Sequence, residues 1–240
     1  MLRGMRGFMG ALAGAAPGGR VVELPGVQAS VIPTLPERSV MNCVLYDAPA
    51  QLQRSLDTLA DEYDRAGVRA WTVWVPHGEA AATETLARAG HQFDGRPAAM
   101  ALDLDALAGE PGPDVRLADA PSFAEVGRLN DVAYGFSGDF ERGFAGIPPD
   151  AFHVYVAEAG CSVVAYDHEG DCGIYLVATA PEARGRGLAT ALMTRALLDA
   201  CERGCATSSL QATARGRPIY ERLGYRDLGV IEMWERRRRD

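Results

Sequence analysis

Two glycines, Gly185 and Gly187, alternate with arginines ahead of a long apolar run in "ATAPEARGRGLATALM" (Ala178–Met193). Glycine costs about 1 kcal/mol relative to alanine inside a helix, so its use at a helix start says that backbone is wanted there. A helix N-terminus leaves N–H groups unpaired and carries partial positive charge. Without Cβ atoms in the way, an anion reaches those groups directly. Arg184 and Arg186 add full charges beside them. The stretch therefore predicts a cradle for a diphosphate.

Three kinds of cradle are distinguished by the residues around and after the glycines. A P-loop needs Lys and then Ser or Thr, and all 24 basic residues of this chain are arginine. A dinucleotide fingerprint needs a third glycine where Thr190 stands, and an acid about 20 residues on, where "ATSSLQAT" has none. The third is R/Q-x-x-G-x-G/A, present as Arg184–Ala189. On that motif the chain resembles the Gcn5-related N-acetyltransferases (GNAT). The strand-like "YLVAT" and Pro181 before it, the apolar helix after it and "GRPIYERLGY" downstream fit the same family. The resemblance spans Asp114 to Trp234.

What the resemblance implies is a mixed α/β (α+β) fold, a mostly antiparallel sheet flanked by helices, using acetyl-CoA as acyl donor. Val177, Ala178 and Thr179 occupy positions whose backbone pairs with the pantetheine arm in relatives. Gly185, Arg186, Gly187, Leu188, Ala189 and Thr190 form the pyrophosphate loop, preceded by Arg184. Thr213 stands where many relatives carry a cofactor-touching asparagine. Tyr220 matches the tyrosine that commonly protonates the departing thiolate.

Acetyl transfer to an amine needs a neutral amine, a stabilised oxyanion and a proton for sulfur. A strand N–H near Val177–Thr179 supplies the second, and a tyrosine protonated at pH 7 supplies the third. For the base, Asp171 and Glu169 lie at the start of the strand that leads to the cradle. Asp139, Glu141 and Asp150 lie in a loose acidic stretch on the acceptor side, where they attract a cationic amine.

These residues must be positioned by alternating elements. The sequence predicts a strand at Val115–Leu117, a helix at Phe123–Tyr134, strands at 152–159, 161–167 and 172–179, and the apolar helix ended by Gly204. A strand at Ser208–Thr213, a short helix around Tyr220 and a strand through Val230 and Trp234 complete the order. The amino-terminal half repeats part of it. A helix through Leu52, Leu56, Leu59 and Tyr63 ends at Gly67, "AWTVWV" comes next, and "LARAGHQFD" matches the helix–glycine–strand exit of "YERLGYRD". Trp71 and Trp74 read as core residues of that strand. Two tandem lobes are expected: residues 1–105 with a helix over about 1–16, a linker at 106–113, and a catalytic domain at 114–240. The first lobe has no glycine loop and has Leu86 in place of Tyr220, so it is read as degenerate, binding no CoA.

Composition limits the partners. A net charge of −8 disfavours nucleic acid, and no apolar run is long enough to span a membrane. Leu2, Met5, Phe8, Met9 and Leu12 follow helical spacing, which favours a docked helix over an export signal. The run Arg236–Arg239 reads as a solvated tail. Five cysteines without CxxC spacing and four unclustered histidines imply no metal and a reducing cytoplasm. The acceptor is a small-molecule or protein amine, and the protein a monomer or homodimer. The alternative function is an acyl-CoA-binding sensor or scaffold that transfers nothing.

Overall fold

The computed structural model describes residues 1–108 and 115–238. In chain order the elements begin with α1 (Leu2–Ala15), β1 (Arg20–Leu24), β2 (Val27–Val31), β3 (Cys43–Tyr46), α2 (Pro49–Arg65), β4 (Ala70–Pro76), α3 (Ala80–Arg88), β5 (Gln92–Gly95) and β6 (Ala98–Asp103). They continue with α4 (Phe123–Tyr134), α5 (Asp139–Phe144), β7 (His153–Ala157), β8 (Cys161–His168), β9 (Asp171–Thr179), α6 (Leu188–Glu202), β10 (Thr207–Ala212), α7 (Arg217–Arg222) and β11 (Arg226–Arg237).

Two compact units result. One takes Met1, Arg3–Phe8 and Ala98–Leu228; the other takes Leu2, Met9–Pro97 and Gly229–Asp240. The units part at Ala98 and Gly229 rather than at the 106–113 linker expected, most of which (109–113) lies outside the described residues together with Asp114. Hydrogen bonding explains the division: β6 goes with β10, its ladder partner, and the end of β11 goes with β4.

In the amino-terminal unit the strands run in the order β1-β2-β3-β4-β11, antiparallel except for the parallel pair β3/β4. The predicted stripe of α2 is buried at Leu52, Leu56, Leu59 and Tyr63, against Trp71, Val73, Val75 and Leu86. The last strand corrects the expectation of a frayed tail. Arg236 and Arg237 are strand residues, and Arg237 binds Glu37 and Glu235 at 3.0 and 2.8 Å; Arg239 lies outside the described residues.

This unit also buries a histidine. His91 lies edge-on to Trp71 at 4.4 Å, and neither ring nitrogen has a hydrogen-bond partner among the described residues. Burial, reinforced by Arg236 and opposed by the Leu86 carbonyl, pushes its imidazole down to about 4. In the unfolded chain the group titrates near 6.5. The unfolded state therefore binds the extra proton first, and stability present above about pH 6.5 is lost as pH falls toward about 4, by on the order of 3 kcal/mol. Urea unfolding at pH 7 and pH 4.5 should show this loss in the wild type and a much smaller one in His91→Phe; equal slopes would assign the acid sensitivity elsewhere.

In the other unit the order is β6-β10-β9-β8-β7, antiparallel except for the parallel pair β9/β10. Only a crossover can join parallel neighbours, and α6 provides it, burying Leu188, Leu192, Met193, Ala196, Leu197 and Ala200. Phe8 stacks on Tyr175 with ring centroids 3.7 Å apart, which gives the α1 stripe its burial there. The helix at Phe123–Tyr134 is as predicted, N-capped by Ser122 on the Glu125 N–H. Val115–Leu117 is not a strand; Leu117 makes an isolated bridge to Ala157. The stretch expected to be loose contains α5. Asp131 accepts from the N–H groups of Phe140 and Glu141 at 3.1 and 2.9 Å, capping it from α4. Gly127 permits this close approach, since a Cβ there would lie 2.5 Å from the Phe140 backbone.

Both units share one order of parts: a strand, a helix, a parallel strand and a second helix. Each second helix closes on glycine in the same way. The His91 N–H bonds the Leu86 carbonyl at 2.9 Å, and the Tyr225 N–H bonds the Tyr220 carbonyl at 3.0 Å. The connections differ where a phosphate would sit. Only Asp47 and Ala48 join β3 to α2, whereas Ala180–Gly187 join β9 to α6.

Candidate active site

β9 is the element on which the site is built. From Asp171 to Ile174 it pairs with β10, and beyond Ile174 that register has no further partners. β10 continues instead along β6 to Ala212. The two parallel strands thus part, leaving the β10-facing edge of Tyr175–Thr179 open. On the other edge, Thr179 and Ala178 face Cys161 and Ser162, but Tyr175 faces Val164. Leu176 and Val177 therefore stand against Val163 alone, a bulge. Leu176 adopts φ +51°, a left-handed conformation in a non-glycine residue. Such strain costs about 1–3 kcal/mol and marks sites held by their surroundings.

Several side chains hold this segment. Asn130 Nδ2 and Ser162 Oγ donate to the Leu176 carbonyl at 3.4 and 3.3 Å. Tyr134 Oη reaches the Val177 carbonyl at 3.5 Å, and Arg184 Nε the Thr179 carbonyl at 3.3 Å. Arg184 also binds the Ala133 carbonyl at 2.9 Å, so its guanidinium ties the loop to both α4 and β9.

The loop ends as the glycines require. Gly185 and Gly187 have φ +73° and +75°, and Gly187 is the N-cap of α6 with no side-chain capping bond. The first N–H groups of α6 are thereby left to solvent or ligand. A Cβ on Gly185 would meet nothing within 4 Å. Here positive φ, rather than crowding by protein, demands glycine. Arg186 and Arg215 are exposed and form no ion pair among the described residues. Leu188 is buried, and Ala189 and Thr190 are half-buried in the first turn. The open strand edge, the left-handed glycines and these cations fit an acyl-CoA.

Tyr220 is buried in α7, its ring edge-on to Tyr225 at 5.9 Å. Burial raises its phenol above the ordinary value, and the neighbouring Tyr134 and Cys161 add to the effect. Cys161 in turn contacts Thr179 at 3.2 Å, so Tyr220 belongs to the bulge end of β9. Its hydroxyl has no hydrogen-bond partner among the described residues. Thr213 is exposed and receives the Gly216 N–H at 3.2 Å, shaping the turn into α7.

Asp171 is not brought to this end. Leu176 lies five positions further on, about 17 Å along an extended strand. Its oxygens accept from Thr207 and Ser209 at 2.8 and 2.6 Å. Glu169 and Gly170, at φ +50° and +80°, form the tight β8–β9 hairpin turn. Asp139 pairs with Arg142 at 2.7 Å, and Asp150 lies in a short turn before β7. Sequence reasoning missed Asn130, Tyr134, Ser162 and Arg215. The first two are four apart on α4, one helical face, and an asparagine within an apolar stripe was a usable signal. The described residues contain no cluster of potential metal ligands.

Residues 150–227 match the family model described as Acetyltransferase (GNAT) domain. No curated protein matches the chain. Among solved structures it is similar to a GCN5-related N-acetyltransferase from Kribbella flavida, with 17% identity, TM-score 0.66 and coverage of 97% of this chain and 93% of that one. A putative acetyltransferase of the GNAT family from Novosphingobium aromaticivorans gives 15% identity and TM-score 0.59 over 97% and 95% of the two chains. A conserved protein of unknown function from Staphylococcus epidermidis gives 13% and 0.63 over 91% and 93%. At these identities the likeness is one of fold.

Proposed function

From a chain whose residues 150–227 carry a GNAT acetyltransferase domain, we propose an enzyme that transfers an acetyl group from acetyl-CoA to a primary amine of a small molecule or protein. The family transfers acyl groups, generally from acyl-CoA. The observation that carries the finer reading is the convergence at one end of β9 of an open strand edge, a glycine loop at a helix N-terminus and a buried, protonated tyrosine.

When bound, acetyl-CoA supplies the activated acyl carbon. The chain does the rest. N–H groups at Gly187 and the first turn of α6, with Arg186 and Arg215, hold the diphosphate. The open edge of Val177–Thr179 aligns the pantetheine arm as an added strand would. A peptide N–H of the bulge faces the carbonyl oxygen as charge develops on it. Tyr220 keeps its proton until sulfur departs. The α4–α5 segment, which reaches Val177 through Tyr134, walls the acceptor side. With both its oxygens bonded to β10 and no loop to cradle phosphate in the other unit, neither Asp171 nor the amino-terminal lobe takes part in the chemistry; direct attack by a neutral amine within a ternary complex fits this arrangement. Five free cysteines suit a reducing cytoplasm.

The test is release of free thiol from acetyl-CoA with a panel of polyamines, arylalkylamines and amino acids, alongside calorimetry with CoA. Amine-dependent thiol release is expected. Tight CoA binding with no release across the panel would instead leave a CoA-binding sensor. Among the described residues no helix is long and apolar enough to cross a membrane.

A further inference from the structure

We infer that Asn130 and Ser162 are positioning residues: by holding the Leu176 carbonyl they turn the peptide N–H of Val177 into the opening between β9 and β10, where it meets the acyl oxygen. This rests on the acyl-transfer reading above.

The peptide joining Leu176 to Val177 is trans, as no cis bond occurs among the described residues. In a planar trans peptide the N–H and the C=O leave opposite edges. Fixing one therefore aims the other. The Leu176 oxygen is fixed by two buried donors, Asn130 Nδ2 at 3.4 Å and Ser162 Oγ at 3.3 Å. Asn130 is itself locked, since Nδ2 also donates to the Val126 carbonyl at 2.9 Å, one turn back on its own helix. The donors come from α4 and β8, so the Val177 N–H leaves on the side away from β8. There β10 ceases to be a register partner after Ile174. The left-handed φ of Leu176 is the twist that carries the peptide over. A bulge without these anchors is free to relax that twist, and its N–H to swing away.

The test uses CoA and acetyl-carba(dethia)-CoA, a ketone in which CH2 replaces the thioester sulfur, so that the acyl carbonyl keeps its place and cannot be transferred. In the wild type, the Val177 amide proton should shift downfield on adding the ketone but not on adding CoA. The ketone should bind about 3- to 10-fold more tightly, the worth of one hydrogen bond. In Ser162→Ala, and in Asn130→Leu where it folds, both the shift and the preference should shrink while CoA affinity stays within about twofold, an outcome that general loosening of the fold does not give. Variants that keep both effects overturn the anchoring. A wild type that binds both compounds alike overturns this inference and leaves the acyl-transfer reading standing. A wild type that binds neither overturns both.

Discussion

Tyr220→Phe should lower turnover by about 10²- to 10⁴-fold while leaving acetyl-CoA affinity within about twofold. The substitution is unusually clean. The hydroxyl has no hydrogen-bond partner among the described residues, so its removal strands no buried donor or acceptor, and the ring keeps its edge contact with Tyr225. The melting temperature should therefore hardly move. The pH profile checks the same assignment independently. Burial first, then Tyr134 and Cys161, raise the phenol above its ordinary value, so the proton is retained throughout the alkaline range in which tyrosines usually begin to ionise, near 10. The wild-type rate should rise as the acceptor amine loses its proton and show no downward limb below about pH 10. Steady-state thiol release for the two proteins from pH 7 to 10 measures both effects. Equal turnover would return Tyr220 to a packing role, and a wild-type rate that falls near pH 9 would point to another donor.

The parts of this site that were legible in the sequence are those whose physics is local. Glycines at positive φ before a helix, the apolar stripe of α6 and the glycine exit after Tyr220 each arise from short-range sterics and periodicity, and α4 begins and ends where Ser122 and Gly135 place it. The bulge was not legible. Leu176 carries no mark of its left-handed backbone, because the cause lies in Asn130 and Ser162, which the fold brings to it from 46 and 14 residues away. Asp171 shows the converse. It is adjacent in sequence to the strand that carries the bulge, but a strand is long, and the bulge and the glycine loop lie at its far end, while Asp171 bonds to β10. The compact units divide at Ala98 and Gly229, which composition does not mark, because the units are set by which strands share ladders, and β6 and β11 each bond to a sheet that sequence order does not suggest. The repeated order of the two units was visible at the glycine exits alone, Leu86 to His91 and Tyr220 to Tyr225.

Gly187→Val should abolish binding of CoA, with a loss of at least about 100-fold in affinity by calorimetry. Two effects act together. A β-branched residue at φ +75° is forced out of a conformation that suits glycine, at a cost of about 1–2 kcal/mol, and the loop shifts to relieve it. Whatever remains in place carries a branched side chain over the N–H groups that α6 leaves without a side-chain cap. Strain alone must be separated from loss of the cradle, and the same helix provides the control. Gly204 lies just past the other end of α6 at φ +92°, and a Cβ there meets nothing within 4 Å. Gly204→Val therefore suffers comparable backbone strain without touching the phosphate end. It should lose stability to urea by a similar amount yet bind CoA within about threefold of the wild type. If both variants lose binding in proportion to stability, the glycines serve the fold and not a ligand. If Gly187→Val binds CoA as the wild type does, the diphosphate lies elsewhere. The divergent outcome is the one expected if backbone donors at the start of α6 hold the anion, since both variants put a branched side chain on a left-handed glycine flanking the same helix and only one of them lies at its N-terminus.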